Sequence, residues 1–231
     1  FEQWGPSGLA VAWAEENTRD SIFKAFKRKE TFATTGTRMA VRFFAGFDLE
    51  SIDLESEEMV KNAYAKGVTM GADLFGNNDQ APQFLVWAQR DKLGAPLQRV
   101  QIIKGWVENA SGTPKEQVYD VACSDGLAVD PITNRCPDNG ARVNINDCSI
   151  SNDVGAIELK TTWTDPEFDP AIKAFYYVRV LENPTCRWST WDAIKAGVSP
   201  RPDLHKTIQE RAWSSPIWYI PEASELDIIP L

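Results

Sequence analysis

Two periodicities divide the chain. Between Thr18 and Lys29, Ile22, Phe23 and Phe26 fall on one helical stripe at i, i+1 and i+4. Thr18 is placed to cap the free N–H groups of the first turn, Asp20 suits its positive end, and Lys27, Arg28 and Lys29 suit the negative one. Before this helix, Gly8–Trp13 is a short apolar run of buried-strand type, and from Thr31 the chain turns β-rich. Beyond about residue 38 the period drops to two. Val41 and Phe43 then alternate with Arg42 and Phe44, and strands are predicted at Met39–Phe47, Gln83–Gln89, Arg99–Glu108, Gln117–Cys123, Ala156–Trp163 and Ala174–Glu182. In the fifth, Ile157, Leu159, Thr161 and Trp163 form the dry face and Glu158, Lys160 and Thr162 the wet one. Turns are signalled at Gly76–Asp79, Ser111–Pro114 and Pro137–Gly140, and a short helix is expected over Glu57–Lys66. After Glu182 the pattern is mixed, with short helices expected over Thr190–Ala196 and His205–Arg211 and a last strand over Ser215–Ile220. The expected architecture is mainly β, a β-sandwich framed by an N-terminal strand-helix unit and a mixed C-terminal segment.

The composition is globular: 231 residues, 43 % hydrophobic, enough for one large core or two small ones. A net charge of −9, from 33 acidic and 24 basic side chains, repels phosphate backbones and anionic lipid, which argues against nucleic acid as a partner. No apolar run approaches the roughly 20 residues that span a bilayer, so membrane insertion is not expected. The four cysteines, Cys123, Cys136, Cys148 and Cys186, are even in number and lie largely in a stretch rich in Asp, Asn, Gly and Pro. That pattern predicts two disulfides and a periplasmic or extracellular location, with three pairings open. A zinc site would want closer Cys pairs.

Candidate chemistry is spread along the chain. The acidic turn Glu15–Glu16–Asn17 follows a predicted strand, where pocket residues gather in α/β barrels, although acidic groups also complement a helix N-terminus. In Thr34–Arg38, a Thr- and Gly-rich turn precedes Arg38, whose guanidinium could fork onto an anion; ordinary turn chemistry accounts for the Thr and Gly equally well. The C-terminal set Arg187, Trp188, Trp191, Glu210, Arg211, Trp213 and Trp218 combines aromatic faces with charge, suited to a sugar or an anion, or to locking the segment down. Loop 125–147 carries Asp125, Asp130, Asn134, Asp138, Asn139 and Asp147, which could hold calcium, but the spacing is not that of an EF-hand. The single histidine, His205, has no second His to share a metal and reads as a surface residue.

Several stretches resemble a family catalogued as domain of unknown function 3604. They are Trp13–Arg19, Lys29–Gly36, Tyr64–Gly71, Thr162–Pro170, Phe175–Val180, Arg187–Thr190 and Ile208–Trp218, in order and almost end to end. Members of that family look like relatives of the polymerase and histidinol phosphatase (PHP) superfamily of metal-dependent phosphoesterases. The resemblance implies that residues 1–37 are the terminal strand-helix unit of a PHP-like α/β barrel, 38–183 a β-sandwich, and 184–231 a segment packing back on either. It implies further that the chain is the C-terminal part of a longer hydrolase, partnered by its upstream barrel, and the cysteine pattern makes that hydrolase a secreted one. Divalent metal ligands are expected upstream and none in this chain, with Glu16, Asn17, Arg38, Glu210 and Arg211 as pocket-rim candidates. The alternative is a non-catalytic sandwich that binds carbohydrate or a protein, with Arg187, Trp188 and Trp191 as ligand contacts.

Overall fold

A computed structural model describes residues 5, 7–77, 79–108 and 111–222. Residue 78 of the Gly76–Asp79 turn, and residues 1–4, 6 and 223–231 of the two terminal segments, lie outside the described residues. The chain opens with strand β1 (Leu9–Ala12), helix α1 (Arg19–Arg28), β2 (Thr31–Thr34) and β3 (Ala40–Gly46). Helix α2 (Met59–Lys66) leads into β4 (Gly67–Thr69), β5 (Asp73–Phe75), β6 (Gln83–Gln89), β7 (Leu97–Val107) and β8 (Pro114–Cys123). A long loop then reaches β9 (Glu158–Thr164) and β10 (Ala174–Glu182). The last part holds β11 (Thr185–Cys186), α3 (Trp188–Lys195), β12 (Thr207–Ile208), β13 (Arg211–Ser214) and β14 (Ile217–Ile220).

Two sheets face each other. The smaller runs β4-β3-β6-β9, and in the larger β10 is the spine, paired with β7 along its whole length on one side and with β13 and β14 on the other. Val41, Phe43, Phe84 and Val86 of the small sheet meet Val100, Ile102, Tyr176 and Val178 of the large one in a single buried core. The alternation that places these side chains inward sends Phe44 and Leu85 to the opposite face, where α2 and the chain before it cover them with Leu49, Ile52, Met59 and Ala63. The fold is thus a mainly β sandwich, with strands β6 and β10 bounded as the sequence predicts.

The N-terminal helix forms as expected. Thr18 Oγ1 accepts from the Ser21 N–H at 3.3 Å, and Lys29 closes the helix in the left-handed region with φ 59°. Its seat differs from the predicted stripe: Ser21 and Ala25 are buried, whereas Phe23 and Phe26 are 59 % and 53 % exposed. Small residues let the helix approach its neighbours and leave the rings outside. The Gly8–Trp13 run, predicted as a buried strand, is half-exposed in β1 because it pairs only with β2, antiparallel. β2 in turn joins β13, so this unit hydrogen-bonds into the large sheet as an edge. The parallel neighbours implied by a barrel end are not among the described residues.

Two further corrections come from pairing. The helix predicted over His205–Arg211 does not form: Thr207 and Ile208 ladder with Cys186 and Thr185, and Arg211 opens β13 against β10. Two waiting strand edges satisfy the backbone of this segment in place of a helix's own bonds. Ile157, predicted on the dry face, lies before β9 and is 75 % exposed. The disulfides are Cys123–Cys136 and Cys148–Cys186, each with 5.6 Å between Cα atoms.

Between the sheets sits one buried polar network. Lys104 Nζ lies 2.6 Å from Asp165 Oδ2 with both side chains nearly sealed, and donates to the Glu167 carbonyl at 2.8 Å. Asp165 also accepts from the Tyr176 hydroxyl at 2.7 Å and the Glu167 N–H at 2.9 Å, while Tyr119 donates to the Glu167 carboxylate at 2.7 Å. Burial pushes the Tyr119 and Tyr176 hydroxyls well above the ordinary phenol range, so both stay protonated donors. Lys104→Ala strands the buried Asp165 and is expected to destabilise the fold by about 3–5 kcal/mol in denaturant unfolding. Lys66→Ala, which removes an exposed pair with Asp48, should cost less than about 1 kcal/mol. Equal costs would show that the network carries no special weight.

Candidate functional site

At the Glu182 end of β10 the chain turns through Asn183 and Pro184, and everything after it folds back over this edge. The Arg187 N–H donates to the Lys206 carbonyl at 2.9 Å, and β11 pairs with β12. Cys186 is bound to Cys148, whose turn reaches Arg142 through a Val143–Ile150 bridge and the Arg142 N–H to Ser151 Oγ bond. These connections bring loop 138–142, the β11–β12 pair and the start of β13 around one cleft of about 520 Å³. Its charged lining is Arg99, Arg142, Arg187, Arg211 and Asp138, with His205 at the exposed rim and Gln98 and Gln209 below.

The arginines are held differently. Arg99 Nη1 donates to Asp120 Oδ2 at 3.2 Å; the Asp120 side chain is fully buried and also accepts from Gln101 and from the Cys136 N–H. Arg99 Nε is buried with no hydrogen-bond partner among the described residues. Arg142 forks onto Asp138 at 3.2 and 2.9 Å, and this bond holds the Asp138 carboxyl below its usual range. Arg211 Nε donates to the Gln209 carbonyl at 3.3 Å, and Arg211 makes no ion pair with a described residue. Gln209 Nε2 bridges Gln98 Oε1 and the Glu182 carbonyl, fixing the floor. In a chain of net charge −9, the described lining holds four guanidiniums and one carboxylate, with Asp120 behind it engaging Arg99.

Behind the floor lies the Glu182 side chain, fully buried. Burial pushes its carboxyl up to about 7; the Thr37 hydroxyl opposes this, and the Glu210 and Asp91 carboxylates add to it. Gly94 closes over it, where an added Cβ would sit 2.9 Å from Oε1. Glu210 accepts from the Thr35 hydroxyl, and the Arg38 N–H donates to Asp91 at 2.8 Å.

Of the residues singled out by sequence, Arg187 and Arg211 line the cleft, and Glu210 stands behind it with Glu182. Arg38 contributes a backbone amide, and its exposed side chain is not part of the lining. In the turn before it, the Gly36 N–H is taken by Thr34 Oγ1, and Gly36 adopts φ 141°, a conformation suited to glycine. Trp188 and Trp191 lie on α3; Trp188 lines a separate hollow, and Lys195 lies over the Trp191 ring. The Glu15–Glu16–Asn17 turn is at the other end of β2. There Glu15 pairs with Arg28 and accepts from Ser21 Oγ, and the Glu16 N–H donates to the same hydroxyl. The carboxylates of loop 125–147 are engaged elsewhere: Asp130 with the Ile132 and Thr133 N–H groups and Asp147 with Ser149 in their own turns, and Asp125 with the Gly155 N–H across the loop. Arg99, Arg142, Gln209 and Glu182 were not singled out. Only Glu182 leaves a trace in the sequence, as a carboxylate at an inward position of the β10 alternation.

Because the Glu182 pKa is raised from 4.5 to about 7, the native state holds a proton that the unfolded chain releases. The stability it confers is complete below about pH 4.5 and is lost as pH rises through 7. Wild-type protein is therefore expected to lose about 3 kcal/mol between pH 4.5 and 8 on account of this group, and Glu182→Gln to lose none of that share. Unfolding midpoints across the range check it, and parallel profiles would overturn it.

The model of a family described as a protein of unknown function, DUF3604, matches residues 1–221. No curated protein and no solved structure matches the chain. With the match running across the sandwich, the arginine cleft and the strands behind it, the chain belongs to the DUF3604 family.

Proposed function

We propose that this chain is part of a secreted hydrolase that acts on phosphoester or related anionic ester bonds, and that its arginine cleft holds the anionic group of the ligand. The observation that carries the reading is the gathering of Arg99, Arg142, Arg187 and Arg211 in one cleft, where Asp138 is the one carboxylate residue of the described lining and Asp120 engages Arg99 from behind it. Guanidiniums match phosphate geometry with paired N–H donors, and a concave wall with restricted water strengthens each contact. The Arg99–Asp120 bond fixes one fork in place before a ligand arrives.

In this reading the cutting chemistry lies in an upstream PHP-type barrel. Among the described residues no three His, Cys, Asp or Glu side chains converge to hold a metal, so no step through a metal is assigned to them. The exposed Phe23 and Phe26 rings on α1 support a packing surface for that barrel. Two disulfides fit an oxidising compartment, and the reading places the protein in the periplasm or outside the cell.

Calorimetric titration with inorganic phosphate and phenyl phosphate is the test. Binding should weaken as salt rises, and Arg211→Ala should weaken it by about tenfold, the worth of one charge-assisted hydrogen bond. Absence of binding, or equal affinity in the variant, would sink the proposal.

A further inference from the structure

The opposite end of β10 carries a second concavity of different chemistry. Where β10 begins, cross-strand register sets Glu116, Gly105, Phe175 and Trp218 side by side on the outer face of the large sheet. Gly105 allows the Phe175 ring to lie down across the strand, since an added Cβ would come within 2.2 Å of the ring. Trp218 rises beside it, centroids 5.1 Å apart and planes at 52°, and remains 36 % exposed. The two rings form the corner of a slot of about 530 Å³, whose rim carries Lys115, Glu116 and Lys173. None of these three makes an ion pair with a described residue; Lys173 Nζ lies 5.3 Å over the Trp218 ring.

We propose that this slot binds a pyranose ring of a glycan, its C–H face against Trp218 and Phe175 and its hydroxyls on Glu116 and Lys115. A sugar presents an apolar face and, at its equator, hydroxyls that both donate and accept. The aromatic corner takes the first, and the exposed carboxylate and ammonium take the second. An acyl chain or apolar peptide would leave these charges facing a dry ligand. A phosphate would meet the Glu116 carboxylate and gain nothing from the rings. The slot stands apart from the arginine cleft, and the inference does not rest on the anion reading.

The experiment is titration of the protein with neutral hexoses, N-acetylhexosamines and their short oligomers, followed by calorimetry. At least one sugar should bind, with Trp218→Ala about tenfold weaker and Glu116→Ala weakened several-fold, as expected for loss of a stacking ring and of a hydrogen bond. Phosphate affinity should be unchanged in both, which separates this site from the cleft. If Trp218→Ala fails to fold, as judged by near-UV circular dichroism, the exposed Glu116→Ala carries the test. No sugar bound by the wild type, or variants that bind as the wild type does, would overturn the proposal.

Discussion

The ion pair between Lys104 and Asp165 holds the rest of the sandwich to account. Two charges drawn from water cost several kcal/mol each unless every lone pair and proton finds a partner. Here β7 brings the ammonium, the turn after β9 the carboxylate, and β10 and β8 the two tyrosine hydroxyls that complete the set. Lys104 faces Tyr176 in the register of β7 on β10, so a slip of one residue would turn the lysine to the outer face and leave Asp165 alone. The hydrophobic core would tolerate some repacking; this network tolerates none, and it fixes how the two sheets meet.

With that register fixed, β10 becomes an axis with different chemistry at its two ends. Its inward side chains, Tyr176, Val178 and Val180, belong to the core, and the same alternation turns Phe175 and Tyr177 outward. At Ala174 the outward row meets β14 and becomes an aromatic corner. At Glu182 the inward row ends in a carboxylate among carboxylates, and the following chain folds over it as a basic cleft. One strand therefore places an aromatic slot and a cationic cleft at its opposite ends.

Much of that frame was legible from the sequence because it rests on local pattern. β6 is a short apolar run of strand length between two glutamines, β10 alternates over most of its length, and α1 carries its cap and its charges in order. What was not legible rests on pairing. Residues 205–211 read as helix because so short a piece has no decisive period, and the waiting edges of β11 and β10 settled it. Phe23 and Phe26 read as a core stripe, but Ser21 and Ala25 provide the close approach. Arg187 and Arg211 stood out beside tryptophans, while Arg99 and Arg142 reach the cleft only through β7 register and a disulfide-tied loop, neither of which a linear pattern contains.

The Cys148–Cys186 bond has a further consequence for the cleft. Cys148 anchors the turn that carries Arg142, and Cys186 immediately precedes Arg187, so the cross-link joins two facing walls rather than two distant loops. Asn139 adds a second tie, donating to Asn183 at 2.9 Å. Walls fastened in this way lose their freedom once, when the chain oxidises and folds, and not again at each encounter with a ligand. On the anion-binding proposal, recognition at this edge begins from a stiff mould, its shape and charge set before the ligand arrives.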